Sequence, residues 1–361
     1  MSVENVIFAI QFLRMKKKKT LTIHDLAREL NYSASTISRA LKNHKSISKK
    51  TTQLIQKAAK EQGYRPNSIA ASLRKNKSKT IGVLVPKISR PFGSNLISGI
   101  ETEARKKGYN VIISQSNDSI TNEIANAKAL FDSRVGGIIA SLSMETQNTD
   151  HFNQFVDQDI PVVFVDRVPK DFPSYHVIID NYTAGYRATE HLIEQGCKRI
   201  AHFAGSQHIN VYSERRRGYV DALKKYNLPV DEELIIYMNS LSFEEGQQCT
   251  EALYNLASPP DGIFSSNDTA AVSAIIYLKK SGYKIPEDVA IIGFNDDPIS
   301  SIVEPALSTV YHPAQKMGEL STRRILEHSG NEGAEIAKEI SVMDTHLIVR
   351  ASSLRKSTPI Q

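Results

Sequence analysis

The stretch TIHDLARELNYSASTISRAL, residues 22–41, spells two short helices around a tight turn. Thr22 can cap the first helix with Asp25 at the third helical position, and Ile23, Leu26, Ala27 and Leu30 recur at i, i+3, i+4 and i+7. One face is therefore apolar. The turn falls at Asn31-Tyr32, and Ser33 is the natural cap of the second helix. Ile37, Ala40 and Leu41 of that helix face inward, which leaves Ala34, Ser35, Ser38 and Arg39 outward near its start. Such a pair forms a helix-turn-helix pattern, and residues near the start of its second helix reach base edges in the major groove of DNA. A third helix is expected from about Ser48 to Gln62, with Leu54, Ile55, Ala58 and Ala59 inward and Gly63 ending it.

Charge supports this reading. Residues 1–79 hold 18 of the chain's 45 Lys and Arg but only 4 of its 39 Asp and Glu. The segment around the helix-turn-helix is strongly basic and the remainder is acidic, a division suited to phosphate binding by one part only. Two cysteines, Cys197 and Cys249, form no metal-ligand spacing and suit a reduced, cytoplasmic protein. The apolar run Val6 to Leu13 has no preceding positive charge and is too short to span a bilayer, so neither a signal peptide nor a membrane anchor is read there. Met15 followed by Lys16 to Lys19 is a natural start, which makes residues 1–14 an upstream extension.

At 361 residues the chain suits a small N-terminal domain plus a large one that is itself divided. Asn67 to Arg74 is compatible with a short helix, and the polar run Lys75 to Lys79 marks a domain boundary. From Thr80 apolar strands alternate with amphipathic helices, the grammar of a parallel sheet covered on both faces. Strands are expected at 81–85, 111–114, 137–140, 162–165, 177–179, 200–203, 234–237, 262–264 and 289–293. So many units exceed one comfortable sheet, and two similar lobes are the better solution.

In open α/β sheets, ligands sit beyond the carboxyl ends of strands. The polar residues there are Asp166-Arg167, Asp180-Asn181, Asn267-Asp268 and Asn295-Asp296-Asp297, with Phe92 in the loop after the first strand and Arg215 near a helix start. Carboxylates, amides, arginine and an aromatic ring are the equipment for gripping a hydroxyl-rich small molecule, although each residue taken alone could be a strand-end or helix cap. No Walker loop, G-x-G-x-x-G, G-x-S-x-G or H-E-x-x-H occurs, and no nucleophile is paired with a base, so no cofactor, metal site or enzyme is read from the chain. A solute-binding protein of a transport system would share the large domain; the basic headpiece and the missing signal peptide oppose it.

The ordered motifs T-I-x-D-L-A at 22–27, S-x-S-T-I-S-R-A-L at 33–41, G-Y-R-P-N at 63–67, T-I-G-V-L-V-P at 80–86, V-D-R at 165–167, D-N at 180–181, S-N-D at 266–268 and P-E-D-V-A-I-I-G-F at 286–294 run along nearly the whole chain. On these motifs the chain resembles the lactose/galactose-repressor (LacI/GalR) family of bacterial transcription regulators. The resemblance implies an α + α/β chain: a three-helix helix-turn-helix domain with a hinge helix, then a two-lobed α/β domain of the type I periplasmic-binding-protein kind. The expected segments are 1–19, an N-terminal extension; 20–66, the DNA-binding domain; 67–79, hinge helix and linker; and 80–356, the effector-binding and dimerisation domain.

It further implies a homodimer on a pseudo-palindromic double-stranded operator, acting as a repressor under allosteric control by a small molecule, a sugar or sugar derivative. Ala34, Ser35 and Arg39 would read bases, with Thr36 and Ser38 nearer the backbone and Thr22, Ser33 and Asn67 completing the DNA-facing set. Ala70 and Leu73 match the hinge positions at the central base step, Leu73 as the wedge. Phe92, Asp166, Asp180, Arg215, Asn267 and Asn295 match effector positions. Gly93 stands where a second aromatic is common and Asn295 where an aspartate often accepts sugar hydroxyls, which leaves an acidic or differently hydroxylated ligand open. The C-terminal segment HLIVRASSLRKSTPIQ carries no leucine heptads, so a dimer and not a tetramer is expected.

Overall fold

The computed structural model describes residues 21–64, 78–330 and 339–355. The chain divides into two compact units, the first ending at Lys77 and the second beginning at Ser78. In the first, α1 (Ile23–Glu29), α2 (Ala34–Leu41) and α3 (Lys49–Glu61) close around Leu26, Ile37, Ala40 and Ile55, all fully buried. Thr22 and Asp25 form a reciprocal capping box, in which the Asp25 N–H donates to Thr22 Oγ1 at 3.2 Å and the Thr22 N–H to Asp25 Oδ2 at 3.1 Å. Asn31 makes the turn in the left-handed region at φ 54°, a conformation asparagine tolerates better than most residues. Ser33 Oγ caps α2 by accepting the Thr36 N–H at 3.1 Å. Two expectations need correction. Leu54 is 51% exposed, because Ile55 and Ala59 alone fill the seam of α3; Ala34 is half-buried and packs against the headpiece core instead of facing outward.

The second unit holds two six-stranded sheets. In the first lobe β1 (Thr80–Val85), β2 (Asn110–Gln115), β3 (Ile138–Ala140), β4 (Val162–Val165) and β5 (Tyr175–Ile179) are joined by β11 (Glu339–Met343), in the order β11-β5-β4-β3-β1-β2. All pairs there are parallel. In the second, β6 (Ile200–Ala204), β7 (Ile235–Tyr237), β8 (Gly262–Ser265), β9 (Ala290–Asn295) and β10 (Ser308–Tyr311) are joined by β12 (Leu347–Ile348), in the order β12-β10-β9-β8-β6-β7. The two orders are the same apart from direction: β12 lies antiparallel to β10. β11 runs with its neighbours, and the chain then crosses directly into the second lobe, where the next strand runs the opposite way.

The nine expected strands are present with small shifts at their ends, whereas β10, β11 and β12 escape the apolar pattern. Ser308 and Thr309 of β10 are fully buried, an arrangement that sequence alone disfavours. Distant partners make it possible: Thr309 Oγ1 donates to Asp268 Oδ1 at 2.7 Å, and Ser308 Oγ to the Arg350 carbonyl at 3.0 Å.

Helices α4 (Pro91–Lys106), α5 (Asn181–Glu194), α6 (Asn210–Lys225), α7 (Asp268–Lys280) and α8 (Ala314–Gly330) include the contacts that fix the cleft between the lobes. The chain passes from β5 in the first lobe to α5 in the second, and from β10 in the second to α8, which packs on α4 in the first. Both helix pairs touch backbone to backbone. A Cβ on Gly185 of α5 would lie 2.4 Å from the Arg215 carbonyl of α6, and one on Gly99 of α4 would lie 2.0 Å from the Gln315 carbonyl of α8. The first of these contacts fixes the segment that carries Arg215.

Candidate functional site

Between the lobes, strand ends and helix starts enclose a cavity of about 90 Å³. Phe92, Asp166, Arg215, Asn267 and Asn295 all line it. Asp180 does not: its exposed carboxylate caps α5, accepting the Thr183 N–H at 2.9 Å and the Thr183 hydroxyl at 2.7 Å. The Asp-x-x-Thr spacing at the end of a strand serves helix initiation here.

Arg215 is 3% exposed and comes from the second turn of α6. Its Nε donates to Asn181 Oδ1 at 2.9 Å and one terminal nitrogen to the Ser266 carbonyl at 2.9 Å, while Phe294 stacks 3.5 Å beneath the guanidinium. Burial pushes this arginine down to about 10, against the pull of Asp166. It stays charged at neutral pH, held in place before any ligand arrives.

Asp166 sits in the left-handed region at φ 64° at the end of β4. Burial raises its carboxyl above the usual range, opposed by Arg215 and Arg167. Its Oδ1 has no hydrogen-bond partner among the described residues, and Ser266 Oγ is in the same position. Buried polar atoms left unpaired cost about 1–3 kcal/mol each, so a ligand with hydroxyl groups at these two points would recover that loss. Asn267 caps α7 through the Ala270 N–H at 2.9 Å, and its Nδ2 donates to the Leu241 carbonyl at 2.9 Å.

The cavity draws on residues that sequence reasoning missed. Tyr212 places its ring at the wall and accepts a hydrogen bond from Arg167 at 2.9 Å, across the lobes. Arg167 also binds Asp118 at 2.5 Å, a pair that holds the Asp118 carboxyl below its usual range despite burial. Arg90 reaches from the first lobe to the carbonyls of Ser240 and Leu241 in the second, at 3.2 and 3.3 Å. His312 lies in the connection from β10 to α8 and packs on Phe92 with ring centroids 4.4 Å apart. It meets Asn295 Oδ1 at 3.2 Å and stands 3.6 Å from Asp166. Arg167 is already among the strand-end residues read from the sequence; of Tyr212, Arg90 and His312, only Arg90 carried a usable signal, a cation directly before a proline that opens a helix. The others are gathered by topology.

In the first unit, Ser35 and Arg39 are exposed on α2, and the side chain of Arg39 makes no hydrogen bond or ion pair among the described residues. Ser35 Oγ and Thr36 Oγ1 each lie 2.8 Å from Ser33 Oγ, so part of their hydrogen-bonding capacity is used at the cap. Thr22 is likewise engaged by Asp25, and Ser38 is half-buried. Asn67, Ala70 and Leu73 lie outside the described residues.

Residues 22–67 match the family described as "Bacterial regulatory proteins, lacI family", and residues 189–353 match the "Periplasmic binding protein-like domain". The HTH-type transcriptional repressor CytR of Escherichia coli (strain K12) is 31% identical over 345 residues, covering 94% of this chain and 99% of CytR. Among solved structures, a transcriptional regulator CelR–cellobiose complex matches with a TM-score of 0.68 at 27% identity, over 92% of this chain and 99% of that one. A lac repressor dimer bound to operator and an anti-inducer matches with a TM-score of 0.81 at 23% identity, over 93% and 100%, and so shares the fold. A helix-turn-helix unit, a two-lobed cleft domain and a full-length relative together place the chain: it belongs to the lacI family of bacterial regulatory proteins and is a DNA-binding transcription regulator, not an enzyme.

Proposed function

We propose that this protein is a cytoplasmic transcriptional repressor that binds a pseudo-palindromic operator as a homodimer and is controlled by a sugar or sugar derivative in the interlobe cleft. The observation that carries the effector reading is the cleft itself. Asp166 Oδ1 and Ser266 Oγ are buried without a hydrogen bond among the described residues beside a preorganised arginine, an arrangement completed by a hydroxylated ligand. The likeness to CelR, solved with cellobiose, supports a sugar as the ligand class. CytR, a repressor by name, supports repression as the output.

Base reading is assigned to Ser35 and Arg39, with Thr36, Ser38, Ser33, Thr22 and Asn67 completing the DNA-facing set; Ala34, packed against the headpiece core, is withdrawn from it. Ala70 and Leu73 keep the hinge role that the family resemblance implies, Leu73 as a wedge at the central step. Effector binding and operator affinity are then linked, since a ligand that prefers one lobe arrangement biases the other equilibrium by its differential affinity.

The test is selection of bound sequences from a randomised duplex pool at physiological salt, with and without a mixture of sugars. A recovered palindrome whose enrichment changes with sugar is the expected result. Salt-sensitive binding without sequence preference would overturn the regulator reading of the cleft domain. Deleting residues 1–79 should abolish DNA binding and leave sugar binding in place.

A further inference from the structure

Four cations and three carboxylates line the cleft, and they are unequally paired. Arg167 has Asp118 at 2.5 Å, and Lys87 shares that carboxylate at 3.7 Å. Arg215 donates only to an amide oxygen and a main-chain carbonyl, and Arg90 only to two main-chain carbonyls. Neither has a carboxylate within ion-pair distance among the described residues. The remaining acids, Asp166 and Asp297, are both buried; burial raises both carboxyls, opposed by Arg215 and Arg167 at Asp166 and by Arg90 at Asp297.

The start of α4 adds to the positive field. It runs for 16 residues, opens at Pro91, and has no side-chain cap because Arg90 occupies the capping position. The N–H groups of Phe92 and Gly93 have no acceptor among the described residues, and both residues line the cavity. Gly93 lets the 87–90 loop fold close over this end, since a Cβ there would lie 2.3 Å from the Lys87 carbonyl. A helix N-terminus with free donors beside an arginine and a lysine attracts an anion. Asp166 Oδ1 and Ser266 Oγ, buried in the same cavity without a hydrogen bond among the described residues, call for hydroxyl groups on the same molecule.

We propose that the cleft selects a polyhydroxylated anion, a sugar acid or a sugar phosphate, over the corresponding neutral sugar, and that Arg90 and the N-terminus of α4 receive the charged group. The inference rests on the cleft being the effector site. Arg90 is the specificity-determining residue. Its two long carbonyl bonds are neutral, and a carboxylate or phosphate offers it a charge-assisted pair in their place.

The experiment is calorimetric titration of the full-length protein with glucose, glucuronate, glucose 6-phosphate, ribose and ribose 5-phosphate. The charged member of at least one set should bind about tenfold tighter than its neutral twin. Preference for glucuronate identifies a carboxylate, and preference for either phosphate ester a phosphate. Arg90→Gln should bring charged and neutral twins to within about twofold, and Arg90→Lys should keep part of the preference, which loss of a purely structural latch between lobes would not restore. A neutral sugar binding as tightly as its charged twins overturns the proposal and leaves the effector cleft standing. A charge preference unmoved by Arg90→Gln overturns the role of Arg90. Failure of all five to bind overturns the proposal together with the sugar-effector reading beneath it.

Discussion

Two arginines show how differently the two units of this chain use the same chemical group. Arg39 is exposed on α2 and has no partner among the described residues, whereas Arg215 is 3% exposed, doubly hydrogen-bonded and stacked on Phe294. The first is a solvated charge, available to an anionic partner such as duplex DNA. Desolvation of the second is offset within the fold, and that offset fixes the geometry of the cleft before a ligand enters. The first unit therefore leaves cations free on short capped helices, and the second immobilises cations through distant parts of the chain.

Removing the buried member should have the largest effect. Arg215→Ala leaves Asn181 Oδ1, the Ser266 carbonyl and Asp166 without their cation, and should destabilise the cleft domain by about 3–5 kcal/mol in urea unfolding. A loss under about 1 kcal/mol would mean that the site collapses onto another donor, and the contrast between the two arginines would fail.

A second effect of the same kind depends on pH. Asp297 is 5% exposed, and burial pushes its carboxyl up to about 6 in the folded chain. The native state then holds this proton more tightly than the unfolded one, so the burial penalty is absent at low pH and develops as pH rises through the interval from about 4 to 6. Asp297→Asn should accordingly stabilise the protein by about 2–3 kcal/mol at pH 7 and have little effect near pH 4. Equal effects at both pH values would show that hydrogen bonding rather than charge dominates there.

On the exposed side, Arg39→Ala should weaken operator binding by about 1–3 kcal/mol, relax the preference at one base and leave sugar affinity unchanged. Equal loss on every sequence would make Arg39 a phosphate contact. The smallest expected change is Ser33→Ala, which removes the cap of α2 and should lower headpiece stability by about 1 kcal/mol, read by helical circular dichroism on heating. Stability unchanged in that variant would show that the core around Ile37 holds α2 without its cap.

The headpiece was legible because its instructions are local. The Thr22–Asp25 box, the Asn31 turn and the Ser33 cap each span a few residues, and the structure forms all three. Errors appeared where a local pattern had no room for its neighbours: Leu54 fits the helical period but lies beyond the seam that Ile55 fills, and Ala34 is drawn inward by the packing of α2. In the larger unit, alternating strands and helices were equally readable, since a strand covered on both faces must be apolar along its length. The strands that escaped were those made of polar residues satisfied from far away, such as Ser308 and Thr309.

Membership of the cleft was decided differently. Asp166 and Asp180 both follow apolar strands of the first lobe; the threonine three residues after Asp180 marks a helix cap, but nothing local to Asp166 tells that it enters the cleft. One lines the cleft in the field of Arg215 and 3.6 Å from His312, and the other caps α5 in solvent. The sequence by itself determined nine of the twelve described strands, the headpiece caps and the division into a basic and an acidic part, because periodicity, turn chemistry and charge act over short spans. Only the tertiary structure decided that Arg90 reaches Ser240 and Leu241, that Tyr212 meets Arg167, and that His312 joins Phe92, Asn295 and Asp166. Those contacts depend on the order of two sheets and on the passages of the chain between them, and such long-range closure leaves no periodic trace in the residues it brings together.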